Sequence, residues 1–275
     1  RRGQLEDLGE VLPGADEGTA IGRVYGTMRV GGTLIWATRF EEEVTVERQG
    51  GKGRGPRVET YRYYANLAVG ICEGPIGAVR RVWADGRELD LRSVEMRIHK
   101  GTRTQQPDPL IEAKQGAGNT PAYRGLAYAV FERLPLDSYG NRLPVLQFEV
   151  LRPVGALETD IRAATIIPGS SEHGYDPGLV TENFGNGSAR HVNRNTLTAS
   201  TAWQASIDEF QALCPNLKRV GLVVGWFGTD LRAGQCRIVP GVGVSARGPE
   251  TGPWRVAGLA LGSARYQDHR RQLVP

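Results

Sequence analysis

Residues 121–136, PAYRGLAYAVFERLPL, decide how the first half of the chain folds. Between Tyr123 and Phe131 successive side chains point to opposite faces, as they do along a β-strand. One face carries Tyr123, Gly125, Ala127, Ala129 and Phe131, and the other carries Arg124, Leu126, Tyr128 and Val130. Because neither face is purely polar, the segment predicts a strand covered on both sides, with Phe131 as a core anchor. An ordinary core strand and a strand at a subunit interface both fit this pattern.

Strand patterns continue on both sides of this segment. Runs rich in β-branched and aromatic residues occupy residues 23–30, 33–40, 60–74, 76–89, 93–99 and 143–151. The pair Gly31-Gly32 predicts a tight hairpin between the first two runs, and Asp85-Gly86 predicts a second turn. Residues 49–57 predict a loop joining two further strands, and residues 105–121 a long connection with one helical turn at 110–114. Six to eight strands without a long helix between them predict an all-β barrel or sandwich.

The pattern changes after Pro153. Residues 201–214 predict an amphipathic helix, in which Thr201 and Gln204 match a capping box. The apolar run at 220–227 does not alternate, which is typical of a strand buried on both faces of a parallel sheet. A helix followed by such a strand predicts α/β architecture, so the fold class of the whole chain is mainly β, or α+β overall.

Composition excludes several classes of protein. The 275 residues allow about two domains. A formal net charge of +4 is too dilute to predict a nucleic-acid-binding surface. Three cysteines give no disulfide framework and fit a reducing compartment. The longest apolar run, 220–227, is far shorter than the roughly 20 residues of a transmembrane helix.

No motif in the sequence predicts an active site. The loop GGKGRG at 50–55 lacks the spacing of a phosphate-binding loop and lies between strands. The four histidines, His99, His173, His191 and His269, show no zinc-binding spacing. The carboxylate pairs Glu158/Asp160 and Glu172/Asp176 fit solvated acids, because a glycosidase needs two carboxylates held at a set separation. We therefore predict no catalytic, cofactor-binding or metal-binding residue, and no cofactor.

Two long segments carry a specific resemblance. Residues 61–89 (YRYYANLAVGICEGPIGAVRRVWADGREL) and 98–153, which include GLAYAVFERLPL, resemble the tail hub or host-specificity proteins of long-tailed bacteriophages and gene transfer agents. The resemblance implies a 1–19 N-terminal linker, β-barrel-like tail hub domains at 20–153, and a smaller α/β segment at 154–275. That last segment resembles the lead-in to the family's glycoside-hydrolase-like barrel.

The resemblance also implies a function. It predicts a structural virion protein at the distal tail tip or baseplate, assembled in the bacterial cytoplasm as a homotrimer that surrounds part of the DNA ejection channel. The implied partners are the distal tail protein ring, the tail tube and tape measure proteins, tail-tip fibres or receptor-binding proteins, passing DNA and the host cell surface. Residues 162–275 are fewer than half of the roughly 250 that an eight-stranded α/β barrel needs, so we expect no enzyme. The alternative is a carbohydrate-active or glycan-binding module.

Overall fold

The computed structural model describes residues 19–48, 57–167, 173–224, 226–242, 253, 255–260 and 265–266. The chain divides into two compact units, Arg1–Ala156 (unit 1) and Leu157–Pro275 (unit 2). Its secondary structure is mainly β, which confirms the predicted fold class. Within the described ranges no helix has the length and apolar character needed to cross a membrane. Nearly all of the predicted linker at 1–19 and loop at 49–57 lies outside those ranges.

Unit 1 consists of two antiparallel sheets and one short helix in its described part. Its strands are β1 (Gly26–Gly31), β2 (Thr33–Ala37), β3 (Glu41–Arg48), β4 (Arg57–Glu73), β5 (Ala78–Ala84), β6 (Arg87–Glu88), β7 (Glu95–Lys100), β8 (Leu126–Pro135) and β9 (Leu146–Arg152). Helix α1 is Pro109–Gln115, and Asp137–Tyr139 form a turn of 3-10 helix. One sheet has the order β2-β4-β8-β7, with β3 also paired to β4, and the other has the order β1-β9-β5-β6.

The two sheets pack face to face around the main core. Leu67 of β4 and Phe131 of β8 meet Phe148 of β9, and all three are fully buried. The opposite face of the five-stranded sheet carries Tyr128 and Val130, which pack against Ile111 of α1. Strand β8 is therefore covered on both faces, as its sequence predicts.

Tyr123 is the exception to the predicted register of this segment. It lies on the same side as Tyr128, with ring centroids 5.2 Å apart, and not on the side of Phe131. The strand begins only at Leu126, and both Tyr123 (φ 47°) and Gly125 (φ 87°) have left-handed backbone angles. Alternation holds only in extended backbone, so the prediction is wrong for the residues before the strand.

Gly31-Gly32 does not form the predicted hairpin. Strand β1 pairs with β9 and β2 pairs with β4, so the chain crosses from one sheet to the other at Gly32. A Cβ atom on Gly32 would overlap the side chain of Val69 and lie 2.9 Å from Phe148 Cε2. The glycine is needed because the backbone passes directly against the core between the sheets, and not because a two-residue turn requires it.

The strands predicted on either side of residues 49–57 and the second predicted turn are confirmed. Strands β3 and β4 pair antiparallel over eight residues each, from Glu41 opposite Tyr64 to Arg48 opposite Arg57. The Asp85-Gly86 turn joins β5 to β6 with φ of 49° and 79°, the pair of positive angles that a tight hairpin turn uses.

Unit 2 contains short strands and two helices in its described part. They are α2 (Leu157–Asp160), β10 (Ala163–Ile166), β11 (Thr181–Asn183), β12 (Ala189–His191), α3 (Ala202–Leu213), β13 (Arg219–Leu222), β14 (Phe227–Gly228), β15 (Ile238–Val239), β16 (Gly241–Val242), β17 (Arg255–Val256), β18 (Leu259–Ala260) and β19 (Arg265–Tyr266). Strand β10 pairs in parallel with β13, and α3 lies between them in the sequence. Four further two-stranded pairs join β11 to β12, β14 to β15, β16 to β19 and β17 to β18.

The predicted helix of unit 2 is confirmed, whereas the predicted burial of the following strand is wrong. Thr201 caps α3 by accepting a 3.2 Å hydrogen bond from the Gln204 amide, but the Gln204 side chain bonds Asp208, so the capping box is half formed. Strand β13 is parallel as predicted, yet all four of its residues are exposed. The reason is that among the described residues only β10 pairs with it.

Candidate functional site

A buried charged cluster lies between α1 and the five-stranded sheet, centred on Asp108. The side chain of Asp108 is fully buried, and it accepts hydrogen bonds from the backbone amides of Leu110 (2.9 Å) and Ile111 (3.4 Å). It is the N-cap residue of α1, and Pro109 follows at the first helical position. Aspartate before proline is a favourable way to begin a helix, which explains why so short a helix forms here.

Strand β7 supplies the positive side of the cluster. Arg97 and His99 are two residues apart and so point to the same face of the sheet. Arg97 donates to both oxygens of Asp108, from Nε at 3.0 Å and Nη2 at 3.1 Å, and its Nη1 donates to Glu132 at 2.8 Å. His99 Nε2 lies 2.8 Å from Asp108 Oδ2, and its ring stacks on Tyr128 at 4.3 Å.

The electrostatics of the cluster favour fixed charges. Burial alone would raise the pKa of Asp108, but hydrogen bonds from Arg97 and His99 outweigh it and lower that pKa below its ordinary value. The hydrogen bond to Asp108 raises the pKa of Arg97, and burial raises the pKa of Tyr128. At neutral pH the cluster therefore contains a charged carboxylate, a charged guanidinium and a neutral phenol.

This arrangement is suited to holding structure and not to proton transfer. Both oxygens of Asp108 are occupied by donors, so the carboxylate has little capacity left to accept a substrate proton. The cluster attaches α1 to the sheet and thereby covers the second face of β8. Sequence reasoning missed it, although the Asp-Pro helix start and the alternating Arg97 and His99 were readable signals.

The first part of the segment 105–121 is also attached to its own unit. The buried Gln105 side chain accepts from the Gly101 amide at 2.7 Å and donates to the carbonyls of Ala122 and Tyr123 at 2.9 and 3.0 Å. The sequence predicts this segment only as a long connection with one helical turn. The structure shows that its first part packs within unit 1, and that residues 113–119 are the exposed stretch.

The remaining residues considered in the sequence are not brought together. His191 bonds Thr181, Asp176 accepts from the Gly178 amide in a tight turn, and Glu158 and Asp160 lie in α2. Glu172, His269 and the loop at 50–55 lie outside the described ranges. Within those ranges no three His, Cys, Asp or Glu side chains form a metal-binding group.

An open apolar groove of about 450 Å³ lies beside β1. Its lining includes Ile21, Met28, Cys72 and Leu126. Burial raises the pKa of the Cys72 thiol, so the thiol stays protonated and weakly nucleophilic at neutral pH. The groove offers an apolar surface for packing and no activated group for chemistry.

Comparison with known proteins shows a similarity to a solved structure. No protein-family model matches the chain, and no curated protein matches it. It is similar to a chain in a solved structure described as the virion of a native gene transfer agent particle, with 41% sequence identity, coverage of 58% of this chain and 34% of that chain, and a TM-score of 0.42. This chain thus spans about a third of the length of that virion chain. The superposition is too weak to support an argument about fold, so the contribution of the match is its sequence identity.

Proposed function

We propose that the chain is a structural virion protein, and more specifically a tail hub at the distal end of a phage-like tail. The observation that carries the proposal is the 41% identity to a chain of a gene transfer agent virion over 58% of this chain. Identity at that level supports a structural virion protein. The hub role, the homotrimeric state and the tail-tip location rest on the resemblance of residues 61–89 and 98–153.

In this role the chain joins the tail tube and the distal tail ring to the host-recognition tip. Its neighbours are the distal tail protein, the tail tube and tape measure proteins, and tail-tip fibres or receptor-binding proteins. DNA passes transiently through the lumen of the ring. The closely packed unit 1 suits a rigid ring subunit, since the five-stranded sheet packs against the second sheet on one face and against α1 on the other.

The proposal is tested in the bacterium that produces the particles. An epitope-tagged chain should be found by immunogold labelling at the tail tip, and quantitative mass spectrometry of purified particles should count three copies per particle. Deletion of the gene should give particles without functional tail tips. Label on the capsid, or six copies in the ring, would overturn the hub assignment.

The alternative is a carbohydrate-active or glycan-binding module that acts on the host cell surface. The parallel pairing of β10 with β13, with α3 between them in sequence, favours it, because this unit is the building block of α/β barrels. The purified chain should be incubated with peptidoglycan and capsular polysaccharide, alongside the variants Glu158→Gln and Asp176→Asn. Hydrolysis that one of these substitutions abolishes would establish the alternative, and no turnover would favour the hub.

A further inference from the structure

Strand β3 and the first part of β4 form a two-stranded arm, residues 41–48 and 57–64. Strand β8 reaches β4 only at Tyr64, which lies opposite Pro135. In the described part of the chain, β3 pairs with β4 alone, and residues 57–62 of β4 pair with β3 alone. The arm therefore has two outer edges without a strand partner, one on each strand.

One face of the arm carries three exposed apolar side chains. Val44 and Val46 alternate along β3 with polar residues, and Tyr61 lies directly opposite Val44. Glu59 lies opposite Val46 on this face and accepts a hydrogen bond from the Tyr61 hydroxyl. Such alternation is typical of a strand with one buried face. Yet Val44 is 45% exposed, Val46 50% and Tyr61 48%. The sequence pattern thus indicates a buried face, whereas these three side chains are exposed among the described residues of this chain.

The other face of the arm is bound in part within unit 1. Glu41 and Glu43 form ion pairs with Arg133 at 2.7 and 2.9 Å, and Thr45 follows them on the same face. Val58 of β4 is exposed on this face as well, so the ion pairs hold only its first part. A two-stranded ribbon is marginally stable in water by itself, so such an arm gains stability from further strands.

The two free edges differ in charge. Glu41 and Glu43 of β3 are paired with Arg133 of the same chain. Without these two glutamates the formal charge of β3, EEEVTVER, is −1, and that of residues 57–64, RVETYRYY, is +1. An acidic edge on one copy complements a more basic edge on another. Two different edges that meet give a head-to-tail contact, and head-to-tail contacts form a ring when the rotation between successive copies closes.

We propose that the arm binds the arm of a second copy of this chain. The β3 edge of one copy pairs antiparallel with residues 57–62 of the next, and a closed ring of arms encloses the face that carries Val44, Val46 and Tyr61. The copy number rests on the proposed function: in a trimer three arms contribute six strands, and closure of the ring leaves neither edge free.

A matched pair of variants tests the proposal on the full chain. Val46→Asp and Thr45→Asp add the same charge at adjacent positions of β3, and they differ only in the face of the arm that carries the charge. By sedimentation velocity up to about 1 mM, the wild type should self-associate, and Val46→Asp should raise the dissociation constant at least about tenfold. Thr45→Asp should change it by less than about threefold. Both side chains are exposed, so thermal unfolding should be unchanged in either variant.

Hydrogen exchange gives a second measurement on the same samples. The outward-pointing amides of β3 should exchange rapidly in dilute protein and become protected as the oligomer forms. A wild-type chain that stays monomeric throughout, or equal effects of the two variants, would overturn the arm proposal. If particles contain three copies at the tail tip but Val46→Asp associates as well as the wild type, the arm proposal is wrong and the hub proposal stands. If the chain associates through the arm but is absent from particles, the hub proposal is wrong and the arm proposal stands.

Discussion

Strands β8 and β13 make an instructive pair. The sequence of each predicts a strand covered on both faces, yet the central residues of β8 are fully buried while Val220 and Leu222 in β13 are 38% and 50% exposed. Strand β8 lies between β4 and β7, with a second sheet on one face and α1 on the other. Strand β13 has only β10 beside it in the described part of the chain. An apolar pattern thus indicates that a strand needs cover, but the cover comes from elements that lie elsewhere in the sequence.

The largest effect on stability is expected for a substitution in the buried strand β8. Phe131 is fully buried between the sheets, and Phe131→Ala should lower the free energy of unfolding by about 3–5 kcal/mol. In particles, the same change should block assembly by unfolding unit 1. Chemical denaturation measures the loss, and Phe184→Ala, at a side chain that is half exposed, is the matched control. Equal, small losses for the two variants would show that the register of β8 is wrong.

The second prediction concerns the cover that α1 provides. Asp108→Asn keeps a cap for α1 but removes the charge that Arg97 and His99 bind, so it should cost about 1.5–3 kcal/mol at pH 7. The folded-state pKa of Asp108 is lowered, so its stabilising contribution is present above the unfolded value of about 3.9 and is lost as pH falls through the folded value.

Unfolding measured at a series of pH values checks both parts of this prediction. The wild type should lose stability below about pH 4, and Asp108→Asn should show a flatter dependence. The exposed Asp137→Asn variant should follow the wild type. If Asp108→Asn also followed it, the carboxylate would not hold α1 in place.

A third substitution examines how closely the two sheets approach. Gly32→Ala places a methyl group against Val69 and Phe148 and should cost about 1–3 kcal/mol through overpacking. Its neighbour Gly31 has open space around the same position, so Gly31→Ala is the control and should be nearly neutral. Thermal unfolding of the two variants gives the comparison. A neutral Gly32→Ala would mean that the backbone at Gly32 lies farther from Val69 and Phe148 than the structure shows.

The smallest effect on stability is expected for a substitution in the exposed strand β13. Leu222→Ser should change the free energy of unfolding by less than about 0.5 kcal/mol, because this side chain is half exposed. The same change at the fully buried Leu134 should cost several times more. A loss above about 2 kcal/mol for Leu222→Ser would show that β13 is covered after all, and the contrast with β8 would disappear.

Local signals in the sequence were sufficient where a few adjacent residues determine the outcome. The cap at Thr201, the Asp85-Gly86 turn and the alternation from Ala127 to Phe131 all depend on neighbours within one or two turns of chain. Each was predicted correctly. Side-chain direction along a strand and hydrogen bonding at a helix start are local properties, so a single segment contains the information.

Features that depend on distant partners could not be predicted in the same way. Gly32 looked like a hairpin residue, because the sequence near it does not reveal that β9 and β4 are the partners of the strands on either side. The attachment of α1 depends on Arg97 of β7, which donates both to Asp108 at the start of α1 and to Glu132 of β8. In both cases the deciding contact joins different elements of the fold, and one sequence alone does not pair them.

The pairing of β1 with β9 has a consequence for how the protein is made. The first strand of unit 1 lies beside the last, with Gly26 opposite Arg152. At a translation rate of about 5–20 residues per second, β1 leaves the ribosome on the order of 10 s before its partner exists. Once β5 has been made, it also waits for the central strand of its sheet, since β9 lies between β1 and β5. Unit 1 can therefore complete its fold only after residue 152 has emerged, and nascent chains shorter than this expose the apolar edge of the future core to chaperones and to one another.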